Sequence, residues 1–384
     1  MEKMANRSFV LCLIMQFWFW IAFNMTLPLI AQYVVDMGAS SATAGFVAGI
    51  FSFLALVMRP IAGYIADRVN SKLLLYIGFA ATIAAFVIYG TAPDVGWLIV
   101  GRVIHAFGLC IQTTVGVAMA MQFIPSGRAV EGVGYIGVAA QIALALGPSV
   151  GVIALGLLGY QGTFFAAAVV MLLVGSLLAP IHVAPPKRKA GDAKLSIHDF
   201  VDVHAIPLAL TIMSFAICSG LTSSLLVLVG TQRGIVGVTA FFLVSSIGIA
   251  ALRPFAGRRV DKKGLQALMP ICFVGETACM SLLAFAGNLP LVITAAFGRM
   301  FGQGIAQSSL QGQVLKDAGP EARGVASSTV YIGIDVGQGV GAMVGGALID
   351  AVSPSGCFLL GPVSLAFGLI AYLYWYRRDK RERG

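Results

Sequence analysis

Asp335 is the residue in this chain whose placement most clearly invites chemistry. It lies near the middle of an apolar, glycine-rich stretch spanning roughly 324–350. A charge at membrane or core depth is costly and usually faces a cavity or a partner. Burial in low dielectric favours the neutral form of a carboxyl group, so such a group can exchange a proton near neutral pH. Tyr331, Asp335 and Gln338 fall at i, i+4 and i+7 and share one helical face. Gly333, Gly337, Gly341 and Gly345 form a second stripe pointing largely away from Asp335, where a neighbouring helix can approach closely. The pattern predicts a helix with a polar, proton-binding face and a packing face.

Two other apolar stretches carry polar faces. Arg102, His105 and Gln112 fall at i, i+3 and i+10, and Arg299, Gln303 and Gln307 at i, i+4 and i+8. Arg299 is a candidate partner that tunes Asp335; the alternative is a fixed structural pair between Asp335 and an arginine. His105 can shuttle protons or serve as a hydrogen-bonded core histidine. Arg102, Asn24, Gln112, Gln141, Gln303, Gln307, Tyr331 and Gln338 are the candidate contacts to a solute. Glu276 is the other deep acid and joins Asp335, Arg299 and His105 as a candidate for proton coupling.

Several functions are excluded. There is no Gly-Lys-Ser/Thr phosphate loop and no paired His/Glu metal motif, so neither an enzyme nor an ATP-driven machine is expected, and no cofactor. Any work the protein does must then draw on an ion gradient, most naturally of protons. The six cysteines are scattered through apolar runs and read as small buried hydrophobes.

These residues need elements to hold them in place. Of 384 residues 58% are hydrophobic and 11% charged, with mean hydropathy +0.91. A soluble protein carries about 25% charged residues, so lipid must face much of this chain. A hydrocarbon core of about 30 Å takes roughly 20 residues per helix, which fits about twelve spans. The apolar runs place them near 9–34, 42–66, 73–92, 96–123, 131–158, 161–183, 205–230, 236–257, 266–287, 290–314, 324–350 and 355–376. The first run is too long for the apolar core of a leader and reads as a retained span. Its Phe17, Trp18, Phe19, Trp20 and Phe23 circle the helix, so some must face lipid.

The net charge of +9 reflects basic loops rather than a nucleic-acid surface. Lys72, Arg128, Lys187–Lys189, Arg258, Arg259, Lys316, Arg323 and Arg377–Arg383 share one side with both termini, while Asp36, Asp94, Asp350 and the lone basic Arg233 lie on the other. This asymmetry predicts an even number of spans and both termini in the cytoplasm. Residues 185–204 read as a cytoplasmic linker between bundles at 1–184 and 205–384.

The halves repeat one another. Arg59-Pro60, Gly63 and Asp67 recur with the same spacing as Arg253-Pro254, Gly257 and Asp261, and Gly101-Arg102 is echoed by Gly298-Arg299. Duplicated six-span halves place a solute site between them near the midplane.

On these motifs the chain resembles the major facilitator superfamily. Gly63-Tyr-Ile-Ala-Asp67-Arg68-Val-Asn70-Ser71-Lys72 is similar to the family's loop after the second span, with Asn70 and Ser71 departing from its usual Gly and Arg. Gly147-Pro148-Ser149-Val150-Gly151 looks like the motif of its drug–proton antiporters, although Val152 stands where a further Gly is usual. The resemblance implies an all-α polytopic protein of 12 transmembrane helices in two pseudo-symmetric six-helix bundles. It also implies a monomer in the cytoplasmic membrane, with membrane lipids and a small-molecule substrate as partners. Arg59, Gly63, Asp67, Arg68, Lys72, Gly147, Pro148, Gly151, Gly257 and Asp261 would form its conformational switch. The span bearing Glu276 would be peripheral, favouring a packing or gating role there. The expected function is proton-coupled export of small amphipathic or cationic compounds. Uptake of a sugar or organic anion is the alternative, and a non-transporting receptor the reading from another class.

Overall fold

The computed structural model describes residues 6–66, 69–124, 129–181 and 202–383, and it is helical throughout, with no strand among those residues. In chain order the helices are α1 (Arg7–Asp36), α2 (Ser41–Ala66), α3 (Ser71–Thr91), α4 (Val95–Met121), α5 (Ala129–Ser176), α6 (Ile206–Gln232), α7 (Ala240–Lys263), α8 (Met269–Phe285), α9 (Leu289–Phe301), α10 (Gln303–Asp317), α11 (Gly319–Ala351) and α12 (Pro354–Arg383). Among the described residues nine helical segments are long and apolar enough to cross a membrane, and Ala240–Leu252 and Met269–Phe285 are shorter apolar helices.

The helix starts follow from local chemistry. The side chains of Asn6, Asn70, Asp94 and Asn288 accept from the backbone N–H of Phe9, Lys72, Trp97 and Leu291. Each satisfies a donor that the first turn leaves without a partner. Asn70, a departure from the family loop, therefore has a capping task.

The runs 131–158 and 161–183 both lie in α5, which is two helices joined by a kink at Gly159, φ 64°, where the sequence divides the two runs. That backbone conformation is open to glycine and costly for other residues. The helical dihedrals continue through Pro148, where the sequence suggests a kink. The run 290–314 is instead divided at Gly302, which separates α9 from α10.

The chain forms two compact units, Met1–Met37 with Leu54–Gly191, and Gly38–Phe53 with Asp192–Gly384. In the first, α1 packs along α5, and α3 packs along α4 and α5. In the second, the almost wholly buried α6 is flanked by α11 and α12, and α8 packs on α9 and α12. The first half of α2 belongs to the second unit.

Arg233, the isolated cation of the acidic side, sits just past α6. Its Nη1 donates to the carbonyls of Leu283 and Ala286, both at 2.8 Å, and its Nη2 to Ala284 O at 2.8 Å and Ser355 Oγ at 3.1 Å. It therefore ties the end of α8, the negative pole of that helix, to the start of α12. Removing a charged donor typically costs about 1.5–3 kcal/mol. Arg233→Ala should destabilise the purified protein by that order, and Arg233→Lys should recover only part, because a point charge cannot span four acceptors. Thermal unfolding in detergent reads this directly; unchanged midpoints in both variants would contradict it.

Candidate functional site

The duplicated Gly-Arg pairs mark equivalent places in the two units. In the first, α3 and α4 cross where Gly101 faces the Tyr89 ring, leaving no room for a Cβ. The next residue, Arg102, is fully buried and hydrogen-bonds Tyr89, whose hydroxyl lies 3.3 Å from His105 Nδ1. Phe23 and Phe86 meet the His105 ring edge-on at 5.9 and 5.1 Å, and Phe164 covers Tyr89 at 5.3 Å. Arg102 and His105 thus sit in a closed aromatic shell.

In the second unit α8 and α9 cross where Gly275 and Gly298 meet backbone to backbone. Again the arginine follows. Arg299 Nη1 lies 3.1 Å from Glu276 Oε1, and its Nη2 donates to Ser219 Oγ at 3.2 Å. Its guanidinium stands 5.8 Å from the centre of the Phe241 ring. Glu276 is fully buried, and a side chain at Gly302, where α9 gives way to α10, would overlap its carboxylate. The break in the span makes room for the acid. Arg299, expected as the partner of Asp335, therefore has Glu276 as its ion-pair partner. The cause is positional: α9 packs on α7, α8 and α10, whereas α11 packs on α6, α10 and α12.

Asp335 is 5% exposed in α11. Its packing stripe finds the neighbour the sequence called for. Gly333, Gly337, Gly341 and Gly345 meet Ala209, Met213, Ile217 and Leu221 of α6, both series advancing by four residues. On the other face Asp335, Gly339, Ala342, Gly346 and Asp350 align at i, i+4, i+7, i+11 and i+15. Gly339, Ala342 and Gly346 meet Gly45 and Gly49 of α2 backbone to backbone, with the side chains of Phe53 and Met343 packed beside the contact. At the end of that contact Asp350 accepts from the backbone N–H of Ser41 at 3.1 Å and of Ala42 at 2.6 Å. A carboxylate on a helix N-terminus is favoured by both the hydrogen bonds and the helix dipole.

The other candidates separate. Gln112 is buried beside Gln16, Leu75, Phe79 and Gly116 around a void of about 10 Å³, near the smallest size that holds one water. The Nε2 atoms of Gln112 and Gln141 have no hydrogen-bond partner among the described residues. Asn24 Nδ2 donates to Trp20 O at 2.8 Å. Gly147 and Gly151 pack on the backbone of α1 at Ile21, Asn24 and Met25. Tyr331 is 40% exposed, and Gln307, Gln338 and Arg59 are partly exposed. Lys72, a residue of the expected conformational switch, donates its Nζ to Ala179 O at 2.8 Å and Ile181 O at 3.0 Å, capping the chain that leaves α5. Asp67 and Arg68 lie outside the described residues, as do the side chains at Gly63, Gln303, Gly257 and Asp261.

Sequence reasoning missed Tyr89 and Ser219, whose types carry no signal inside apolar runs. It also missed the Glu276–Arg299 pairing, for which a signal existed: Gly275-Glu276 and Gly298-Arg299 place a glycine and then opposite charges in consecutive spans.

The family model described as Major Facilitator Superfamily matches residues 10–334 and again 208–384. A probable sugar efflux transporter of Helicobacter pylori is 24% identical over 374 residues, 92% of this chain and 91% of that one. The quinolone resistance protein NorA of Staphylococcus aureus is 20% identical over 179 residues, 47% of this chain and 46% of its own length. Among solved structures, nucleoside transporter NupG superposes with TM-score 0.77 at 12% identity, covering 98% of this chain and 100% of that one. A POT family transporter does so with TM-score 0.78 at 15% identity, covering 97% and 96%.

Proposed function

The chain belongs to the major facilitator superfamily, a family of multi-pass membrane transporters and not of enzymes, and from that premise we propose that it exports small amphipathic or cationic compounds in exchange for protons. The observation that carries the reading is Asp335, an acid buried in an apolar helix, on the face opposite the glycine stripe that fixes α11 to α6. A group there changes charge only by exchanging a proton, and the change falls on the helix that also packs on α2. The basic loops support a place in the cytoplasmic membrane with both termini inside. The efflux relatives support the outward direction.

Sugar export is the second reading, favoured by the name of the relative that matches 92% of this chain. An organic anion is less well served, because Glu276 meets the charge of Arg299 at 3.1 Å. The test is reconstitution in vesicles with an imposed pH gradient. Cationic dyes and neutral sugars are screened for uphill accumulation that a protonophore abolishes. Accumulation of a dye supports the proposal, accumulation of a sugar selects the second reading, and movement of neither under any gradient overturns both.

Alternating access requires the α2–α11 contact to open. Asp350 and the apposed glycines hold it closed. Asp350→Asn removes the charge on the α2 terminus, worth about 0.3–1 kcal/mol, and should shift the equilibrium up to about fivefold toward opening. Gly45→Val forces a side chain against the Ala342 carbonyl and should shift it further, by about 1–3 kcal/mol of overpacking. Spin labels at Ala39 and Val352 report the separation. A larger long-distance population in both variants is expected, and unchanged distances would contradict the gate.

A further inference from the structure

The second unit carries a groove between α6 and α12. It has a volume of about 690 Å³ and extends along α12 from Leu360 to Tyr374. At 1.5 Å per residue this is about 21 Å, more than the roughly 15 Å that one leaflet contributes to the hydrocarbon core. The two serine hydroxyls in its wall are already satisfied: Ser364 Oγ donates to Gly361 O at 2.8 Å, and Ser214 Oγ to Thr211 O at 2.7 Å. Apart from Tyr374, at the end next to the arginines, the walls are apolar or already hydrogen-bonded, and suit a hydrocarbon chain.

The outer lip of the groove is one helical stripe. Val363, Phe367, Ile370 and Tyr374 are 54–69% exposed. With steps of four and three residues the same stripe continues into Arg377 and Arg381, both exposed. Asp379 falls off this face. The apolar slot thus ends at two cations, at the basic end of the helix.

We propose that the groove binds an anionic phospholipid, one acyl chain lying between α6 and α12 and the phosphate held by Arg377 and Arg381. Apolar length and charge are arranged in the order in which that lipid presents them, and basic clusters at helix ends attract anionic headgroups.

The test is native mass spectrometry of the delipidated full chain, titrated with dioleoyl phosphatidylglycerol, with dioleoyl phosphatidylcholine, and with glycerophosphoglycerol, which has the headgroup alone. Wild type should retain the anionic lipid at much lower concentration than the zwitterionic one and should not retain the headgroup. Near the surface each arginine contributes about 1 kcal/mol, or roughly fivefold. Arg377→Ala with Arg381→Ala should therefore weaken anionic-lipid binding by roughly 25-fold, and both positions are exposed enough for the fold to survive. Val363→Trp, which fills the groove from its exposed lip, should reduce binding with the arginines intact. Equal retention of the two lipids, retention of the headgroup alone, or indifference to Val363→Trp each overturns the proposal.

Discussion

Asp335→Asn is expected to abolish gradient-driven accumulation while leaving solute-for-solute exchange in place. A difference of one pH unit supplies about 1.4 kcal/mol per proton, or about tenfold accumulation. The amide has nearly the shape of the carboxyl group but never ionises, so the helix can still move and no proton moves with it. Accumulation in vesicles should fall from that tenfold to none, and counterflow of labelled against unlabelled solute should continue. A variant that still accumulates solute fully removes Asp335 as the proton carrier. A variant that loses counterflow as well makes the residue part of the solute site or of the fold.

The second large effect concerns Glu276 and Arg299. Their charges lie 3.1 Å apart, with the acid fully buried. Breaking a buried pair by removing one partner costs about 3–5 kcal/mol, because the other charge is left uncompensated, whereas replacing both by apolar groups of similar size is often neutral or better. Glu276→Ala and Arg299→Ala should each sharply lower the yield and thermal stability of folded protein. Glu276→Leu combined with Arg299→Met should restore most of both. If the double replacement restores stability but not transport, the pair also serves the cycle. If the single variants are as stable as wild type, the pair does not hold the unit together.

Features that repeat over short distances were legible in the sequence. The glycine stripe of α11 announced a close neighbour, because four-residue spacing is a property of one helix. The Gly-Arg repeat announced buried arginines in both halves for the same reason. Partners far along the chain were not legible. Nothing local to Asp350 says that its carboxylate meets the start of α2, about 300 residues earlier. Nothing near Tyr89 distinguishes a ring that binds an arginine from one that faces lipid. Hydropathy also could not see that Gly302 interrupts a span, since the residues on both sides remain compatible with a helix. The interruption serves Glu276, which lies on another helix. Lys72 was assigned from motif similarity, and its carbonyl partners at Ala179 and Ile181 became visible only once α3 and the end of α5 lay side by side.

In the proposed cycle solute and protons move in opposite directions through one protein. The most direct measurement is internal pH in sealed vesicles with an acidic lumen, followed with a trapped dye as solute is added outside. Solute entry should drive protons out, so that the lumen becomes more alkaline in proportion to the solute taken up, and Asp335→Asn should abolish this signal. Solute entry with an unchanged internal pH, at the same rate with and without the gradient, would contradict it.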